Sequence, residues 1–394
     1  MNFRFTKEQE EFRQELRKFL VEETPPDFAK YMYGTMDVAA NDEVSELSSK
    51  IAPKLAEKGW LTSSWPKEWF GRGASCTEKL IMAEELGYCG VPARDMYSIG
   101  MVGPMLIEWG TEEQKKQHLP SIARGEVLWC QGFSEPDAGS DMGACKTTAV
   151  WNGKEYVVNG QKTWTSQAHR AKWIFFLAKT DPEAPKYRNL TIFIAPLDTP
   201  GITIKPIISM DGTHHFSDVF FDDVRIPKEN VLGEVNKGWA VAMALMNYDR
   251  TLMEPLGQIK RLIEVMVEYV NRTGDSKNQV VRQKLAQLAI ETEVCHLLAY
   301  KIAAAEDAKL PIVNEASMSK IMNAELMRHA TGIATEIVGL GSQLTEDETD
   351  APCLGRLGHL HFDSIANAFG AGTIEIQKNT IARFGLGLPR EPRG

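Results

Sequence analysis

The sequence predicts an α+β protein in three successive parts: a helical N-terminal domain over residues 1–125, a middle β-barrel or sandwich domain over 126–235, and a C-terminal helical bundle over 236–394. Two observations predict it. Apolar residues recur at three- and four-residue spacing towards both ends of the chain and at two-residue spacing between them. Glycine and proline punctuate the middle as they do between short strands. A chain of 394 residues, 43% hydrophobic and 25% charged, is long enough to bury a large core and has the composition of a soluble globular protein.

The elements follow in order. Thr6 with Gln9 three residues later forms a capping box that starts a helix. Breaks fall at Pro25-Pro26, Trp65-Pro66 and Gly71-Arg72-Gly73, and an amphipathic helix over 77–86 ends near Gly87. Segments 156–160, 173–178, 190–195 and 218–222 read as strands, with Asn152-Gly153 as a tight hairpin turn. After Gly238 helical spacing covers 239–271, 280–305 and 315–338, and Gly339-Leu340-Gly341 is a helix stop. The tail 386–394 reads as an exposed end.

Charge and cysteine usage exclude several classes. A formal net charge of −9 argues against a nucleic-acid partner or adhesion to an anionic membrane. No apolar run approaches the ~18 residues of a membrane span, and the charged first residues lack the apolar core of a signal peptide. Cys76, Cys89, Cys130, Cys145, Cys295 and Cys353 are scattered without a CxxC pair, which points to a reduced cytoplasmic protein without disulfides or structural zinc. Neither His214-His215 nor His359-Leu360-His361 completes a metal-ligand set.

The most informative stretch runs from Trp129 to Asp141, an apolar strand opening into a turn of Ser134, Glu135, Pro136, Asp137, Ala138, Gly139 and Ser140. About twenty residues on, Asn159-Gly160-Gln161-Lys162 leads into Thr163-Trp164-Thr165-Ser166. The spacing suits two strands of one antiparallel sheet, each ending in a loop of small hydroxyl and backbone donors, where flat or phosphorylated ligands are held.

These motifs, with 219–227 and Gly372-Thr373-Ile374-Glu375-Ile376-Gln377-Lys378, resemble the acyl-CoA dehydrogenase family over nearly the whole chain. The resemblance implies FAD between the β domain and the C-terminal helices, an acyl-CoA thioester as substrate, and an electron-transfer flavoprotein as acceptor. It implies that Phe133 and Ser134 bond the flavin ring, that Trp164 packs beside it, and that Ser166 sits near the hydride-accepting nitrogen. Thr373 and Glu375 match a stretch that contacts the cofactor, and Gly139 and Ser140 would border the acyl-CoA channel. It further implies a homo-oligomer, a tetramer arranged as a dimer of dimers.

One position departs from the pattern. Many relatives carry the catalytic base as a Glu just before the C-terminal Gly-Thr, where this chain has Ala371. A branch of the family places the base on the first long C-terminal helix as Glu before Arg, matched here by Asp249 and Arg250. On helical spacing Asp249 shares a face with Ala242, Leu245, Met246, Leu252, Met253 and Leu256, where loss of solvent would strengthen a carboxylate as a base. The alternative for Asp249 is a structural ion pair. Asp95 is the second candidate, either to take a proton from a more distant carbon of a cyclic acyl group, to recognise a polar substrate, or to pair with Arg94; Glu254 falls off the face of Asp249. The departure implies an alicyclic, steroid-derived, dicarboxylic or otherwise bulky acyl group. Two other readings remain: a non-catalytic subunit completing the FAD site of a heteromer, and an acyl-CoA oxidase.

Overall fold

A computed structural model describes residues 5–245 and 253–389. In chain order its helices are α1 Lys7–Glu23, α2 Thr35–Ala40, α3 Asp42–Glu57, α4 Cys76–Cys89, α5 Gly103–Trp109, α6 Glu112–Ala123, α7 Gly238–Leu245, α8 Met253–Thr273, α9 Gln279–Asp307, α10 Val313–Val338, α11 Leu357–Ala366 and α12 Ile374–Thr380. The strands are β1 Trp129–Gly132, β2 Thr148–Trp151, β3 Tyr156–Ser166, β4 Trp173–Lys179, β5 Leu190–Pro196, β6 Ile202–Ile207, β7 Phe216–Ile226 and β8 Val231–Leu232. This is the helical–β–helical order expected. None of the described helices is long and apolar enough to cross a membrane. All six cysteines are free thiols.

The chain forms two compact units. One comprises Thr35–Gly73 and Ala93–Asp249 and holds an eight-stranded sheet in the order β6-β7-β3-β2-β4-β5-β8, with β1 on β4. Strands β4 and β5 are mostly apolar and buried on both faces, whereas β6 alternates at an edge. Cys130, Val158, Ile174, Phe176, Phe193, Val219 and Phe221 make the core of this unit.

Two details of the sheet differ from the sequence reading. Strands β1 and β3 do belong to one sheet, but β1 pairs in parallel with β4 (Trp129 opposite Trp173, Gly132 opposite Phe176) rather than antiparallel with β3. Stacking of Trp129 on Trp173, centroids 5.3 Å apart, rewards that register. The β2–β3 hairpin turns through four residues, because the Asn152 side-chain oxygen accepts from the amides of Lys154 and Glu155 before the strands pair.

The other unit comprises Met1–Gly34, Ala74–Pro92 and Arg250–Gly394. Helices α4, α8, α9 and α10 bury Leu80, Leu256, Leu262, Met266, Leu288, Ala299, Leu326 and Ala330 against one another. The α4–α8 crossing is backbone on backbone. A Cβ on Gly87 would lie 2.0 Å from the Glu254 carbonyl oxygen, and one on Gly257 2.2 Å from that of Glu84. The expected capping boxes form at Thr6–Gln9 and also at Ser75–Glu78. Buried Glu85 takes Arg13 at 2.6 Å and Arg17 at 2.5 Å, and its neighbour Glu84 bonds His296 at 3.1 Å and Lys260.

Candidate active site

The turn after β1 is built from its own sequence. Pro136 and Asp137 occupy its corners, while Glu135 and Ala138 exchange two backbone hydrogen bonds of 3.0 Å. Beneath it lies a buried ion pair, Lys162 Nζ to Glu135 Oε1 at 2.7 Å. The same carboxylate accepts from the amides of Lys146 at 2.6 Å and Thr147 at 3.0 Å and from the Cys145 thiol at 3.0 Å. Burial alone would raise the Glu135 carboxyl; the Lys162 ammonium and these donors hold it down at about 2 instead. Lys162 stands on β3, so the pair locks the Trp129–Asp141 segment to the Asn159–Ser166 strand. A backbone bond from Thr163 N to the Ser134 carbonyl, 3.0 Å, completes the lock.

The end of β3 is strained. Trp164 has φ +57° and Gln167 φ +50°, conformations that non-glycine residues adopt only when their surroundings impose them. Trp164 is 59% exposed, its indole edge-on to Phe216, while Ser166 is buried. Phe133, also buried, packs against Phe175. The structure therefore brings Phe133, Ser134, Trp164 and Ser166 together at one end of the sheet.

Asp95 belongs to the same unit. It caps a π-helical turn, Met96–Val102, with Oδ2 accepting from the Ser98 amide at 2.5 Å and Oδ1 from Gln167 Nε2 at 2.8 Å. Burial pushes this carboxyl up, opposed by the bonds from Ser98 and Gln167. The π-turn has an identifiable cause. The Ile99 carbonyl accepts from the Trp65 indole at 3.3 Å, and the Gly103 amide reaches back five residues to the Ser98 carbonyl.

Gly139 and Ser140 lie on the exposed side of the turn. A Cβ on Gly139 would meet nothing within 4 Å, so no packing among the described residues calls for glycine there.

In the helical unit, Thr373 caps α12 by accepting from the Ile376 amide at 3.2 Å, and Glu375 is exposed in its first turn. Ala371 and Gly372 before them have φ +54° and +92°. Asp249 and Arg250 lie outside the described residues. Three participants escaped the sequence reading: Lys162, Gln167 and Tyr97. Lys162 was legible only as the last letter of a motif, and nothing local announces that a lysine on a strand will be fully buried.

Comparison with known proteins decides the family. The acyl-CoA dehydrogenase N-terminal, middle and C-terminal domain profiles match residues 6–126, 130–224 and 236–386. The chain belongs to the acyl-CoA dehydrogenase family. This acyl-CoA dehydrogenase is 34% identical to the acyl-CoA dehydrogenase IpdE1 of Mycobacterium tuberculosis over 390 residues, 98% of this chain and 99% of that protein. It is 31% identical to FadE26 of the same organism, with both chains covered completely. Among solved structures it is similar to the Tcur3481-Tcur3483 steroid ACAD (30% identity, TM-score 0.91, 99% of this chain and 100% of that one). It also resembles the ChsE4-ChsE5 complex from Mycobacterium tuberculosis (31%, TM-score 0.88, 99% and 100%).

Acyl-CoA dehydrogenases are FAD enzymes, and the site fits that cofactor. An exposed indole on a strained backbone offers a flat face, and the loops after β1 and β3 carry hydroxyls and amides of the kind that donate to a ring with nitrogen and oxygen acceptors.

Proposed function

We propose that this FAD-dependent acyl-CoA dehydrogenase acts on a bulky, cyclic acyl group of steroid type and that Asp249 is its base. Bound FAD supplies the hydride acceptor. Phe133 and Ser134 hold the flavin ring, Trp164 packs beside it, Ser166 stands at its hydride-accepting side, and Thr373 and Glu375 are further contacts of the cofactor. Gly139 and Ser140 border the acyl-CoA channel, where the open space around Gly139 leaves room for the thioester arm. Asp249 takes the proton from the carbon alpha to the thioester as the hydride leaves the neighbouring carbon, with Arg250 beside it on the substrate.

The observation that carries this reading is Ala371. The turn that bears the base in many relatives bears a methyl group here, in a left-handed conformation just before the α12 cap. Likeness to a steroid ACAD over 99% of the chain supports the choice of substrate. Asp95 is the weaker candidate for the base, since both its oxygens already accept from Ser98 and Gln167.

The test is anaerobic flavin bleaching in a single turnover with cyclic and linear acyl thioesters, for wild type and Asp249→Asn. Bleaching by a steroid-type thioester, slowed by at least ~10³ in Asp249→Asn, is expected for loss of a general base combined with misplacement. Wild type bleached faster by linear chains refutes the substrate; an Asp249→Asn enzyme of full rate refutes the base. A homotetramer that passes electrons to an electron-transfer flavoprotein is the accompanying assembly. A second reading, a subunit that completes the FAD site of a heteromer, is favoured by likeness to the ChsE4-ChsE5 complex. Under it, the chain purified alone holds little FAD.

A further inference from the structure

One helical turn reaches the strained end of β3 at two points. Asp95 bonds the Gln167 side chain at 2.8 Å, and the same Gln167 nitrogen donates to the Trp129 carbonyl at 2.9 Å. The Gln167 backbone amide is fixed as well, to the His215 carbonyl at 3.0 Å. Gln167 is thus pinned by three bonds in a left-handed conformation it would not otherwise favour, and the residue before it is Ser166. Tyr97, the neighbour of Asp95, presents its phenol directly to the Ser166 side chain.

We propose that Asp95 and Tyr97 are positioning residues that aim the Ser166 hydroxyl, Asp95 by holding the backbone through Gln167 and Tyr97 by direct contact. The inference rests on the reading above that Ser166 faces the flavin. A serine hydroxyl carries one proton and two acceptor lone pairs and rotates to suit its neighbours. A hydrogen bond with the Tyr97 phenol stops that rotation and so fixes which side of the Ser166 oxygen is turned to the bound ring. Burial keeps the Tyr97 phenol in its donor form by pushing it up to about 12, with Ser166 working in the opposite sense. The flavin's electronic environment is then set from the helical segment that precedes the sheet.

The experiment is a double-mutant cycle on the FAD-loaded enzyme. Ser166→Ala, Tyr97→Phe, Asp95→Asn and the two doubles with Ser166→Ala are compared by visible flavin spectrum, midpoint potential, thioester Kd and single-turnover reduction rate. Tyr97→Phe and Asp95→Asn each shift the spectrum and potential and slow reduction about tenfold, the effect of one oriented hydrogen bond, with Kd within about twofold. In the Ser166→Ala background neither adds anything. Effects that multiply fully with Ser166→Ala, or that vanish in both single variants, overturn the inference. A loss of about 10³ for Asp95→Asn in both backgrounds overturns it in favour of direct proton transfer. If Ser166→Ala itself leaves potential and rate unchanged, the flavin-facing reading of Ser166 falls, and the inference with it. Tyr97→Phe keeps the test decisive should Asp95→Asn fold poorly, because it removes one oxygen and no capping bond.

Discussion

Replacing Lys162 by Met isolates the contribution of the ion pair beneath the turn that follows β1. Lys162 is fully buried and Glu135 is 5% exposed, so neither partner regains water when the other is lost. A carboxyl held at about 2 rather than the ordinary 4.5 means that the folded state favours its charged form by about 3 kcal/mol. Removing one partner of a buried pair costs roughly 3–5 kcal/mol, because the other charge is left without compensation. For a chain of 394 residues, at a melting entropy of roughly 2.1 cal/mol/K per residue, that is about 4–6 °C in the apparent Tm. The sign with pH follows. A depressed folded-state value contributes stability above the unfolded value, and that stability is lost as pH falls from 4.5 towards about 2. Thermal melts of Lys162→Met, Glu135→Gln and the double variant at pH 7, with FAD retention after gel filtration, provide the assay. We expect Lys162→Met to lose both stability and cofactor, and the double to recover part of the stability. A Lys162→Met protein that melts within about 2 °C of wild type and keeps its FAD refutes the argument that this pair holds the turn.

Other features make their own predictions. His118, buried edge-on against both Trp129 and Trp173, is pushed down to about 4 by burial, so the unfolded chain binds its proton first as pH falls. Wild type should lose up to about 3 kcal/mol between pH 6.5 and 4, and His118→Phe should flatten that limb of the stability–pH curve; identical slopes would contradict it. Gly257→Val should destabilise the α4–α8 crossing by several kcal/mol (~3), seen in urea melts, because the Glu84 carbonyl lies where its Cβ must go. Trp164→Ala should leave the apo protein's Tm unchanged, since the indole is 59% exposed, yet weaken FAD retention about tenfold in equilibrium dialysis.

Much of the fold is written locally. Thr6 and Gln9 announce a helix start that forms as expected, and Val280 to Ala305 sits within α9 with its bounds extended by a residue or two. Strands that are apolar on both faces, such as Leu190–Pro196, were equally plain. The partnering of β1 was not legible, because whether Trp129 faces β3 or β4 depends on a tryptophan more than forty residues away. The site divides the same way. The residues proposed to meet ligand lie in loops of distinctive composition, so Ser134, Gly139 and Trp164 stood out. Those that hold the loops stand in ordinary surroundings: Lys162 in a strand pattern, Tyr97 in a helix whose period the π-turn disturbs. The departure from the family pattern before Gly372-Thr373 was legible directly, as Ala371.

The π-turn has a consequence for how sites of this kind diversify. A π-turn carries one residue more than the α-helix that would span the same rise. Deleting a single residue between Met96 and Val102 would let the helix close with four-residue bonds, freeing the Trp65 indole from the Ile99 carbonyl. The side chains ahead of the deletion would turn by about 100° relative to α5, carrying Asp95 and Tyr97 away from β3 while every strand stayed in register. One codon gained or lost at this place would therefore rewrite one wall of the site and leave the sheet that supports it untouched.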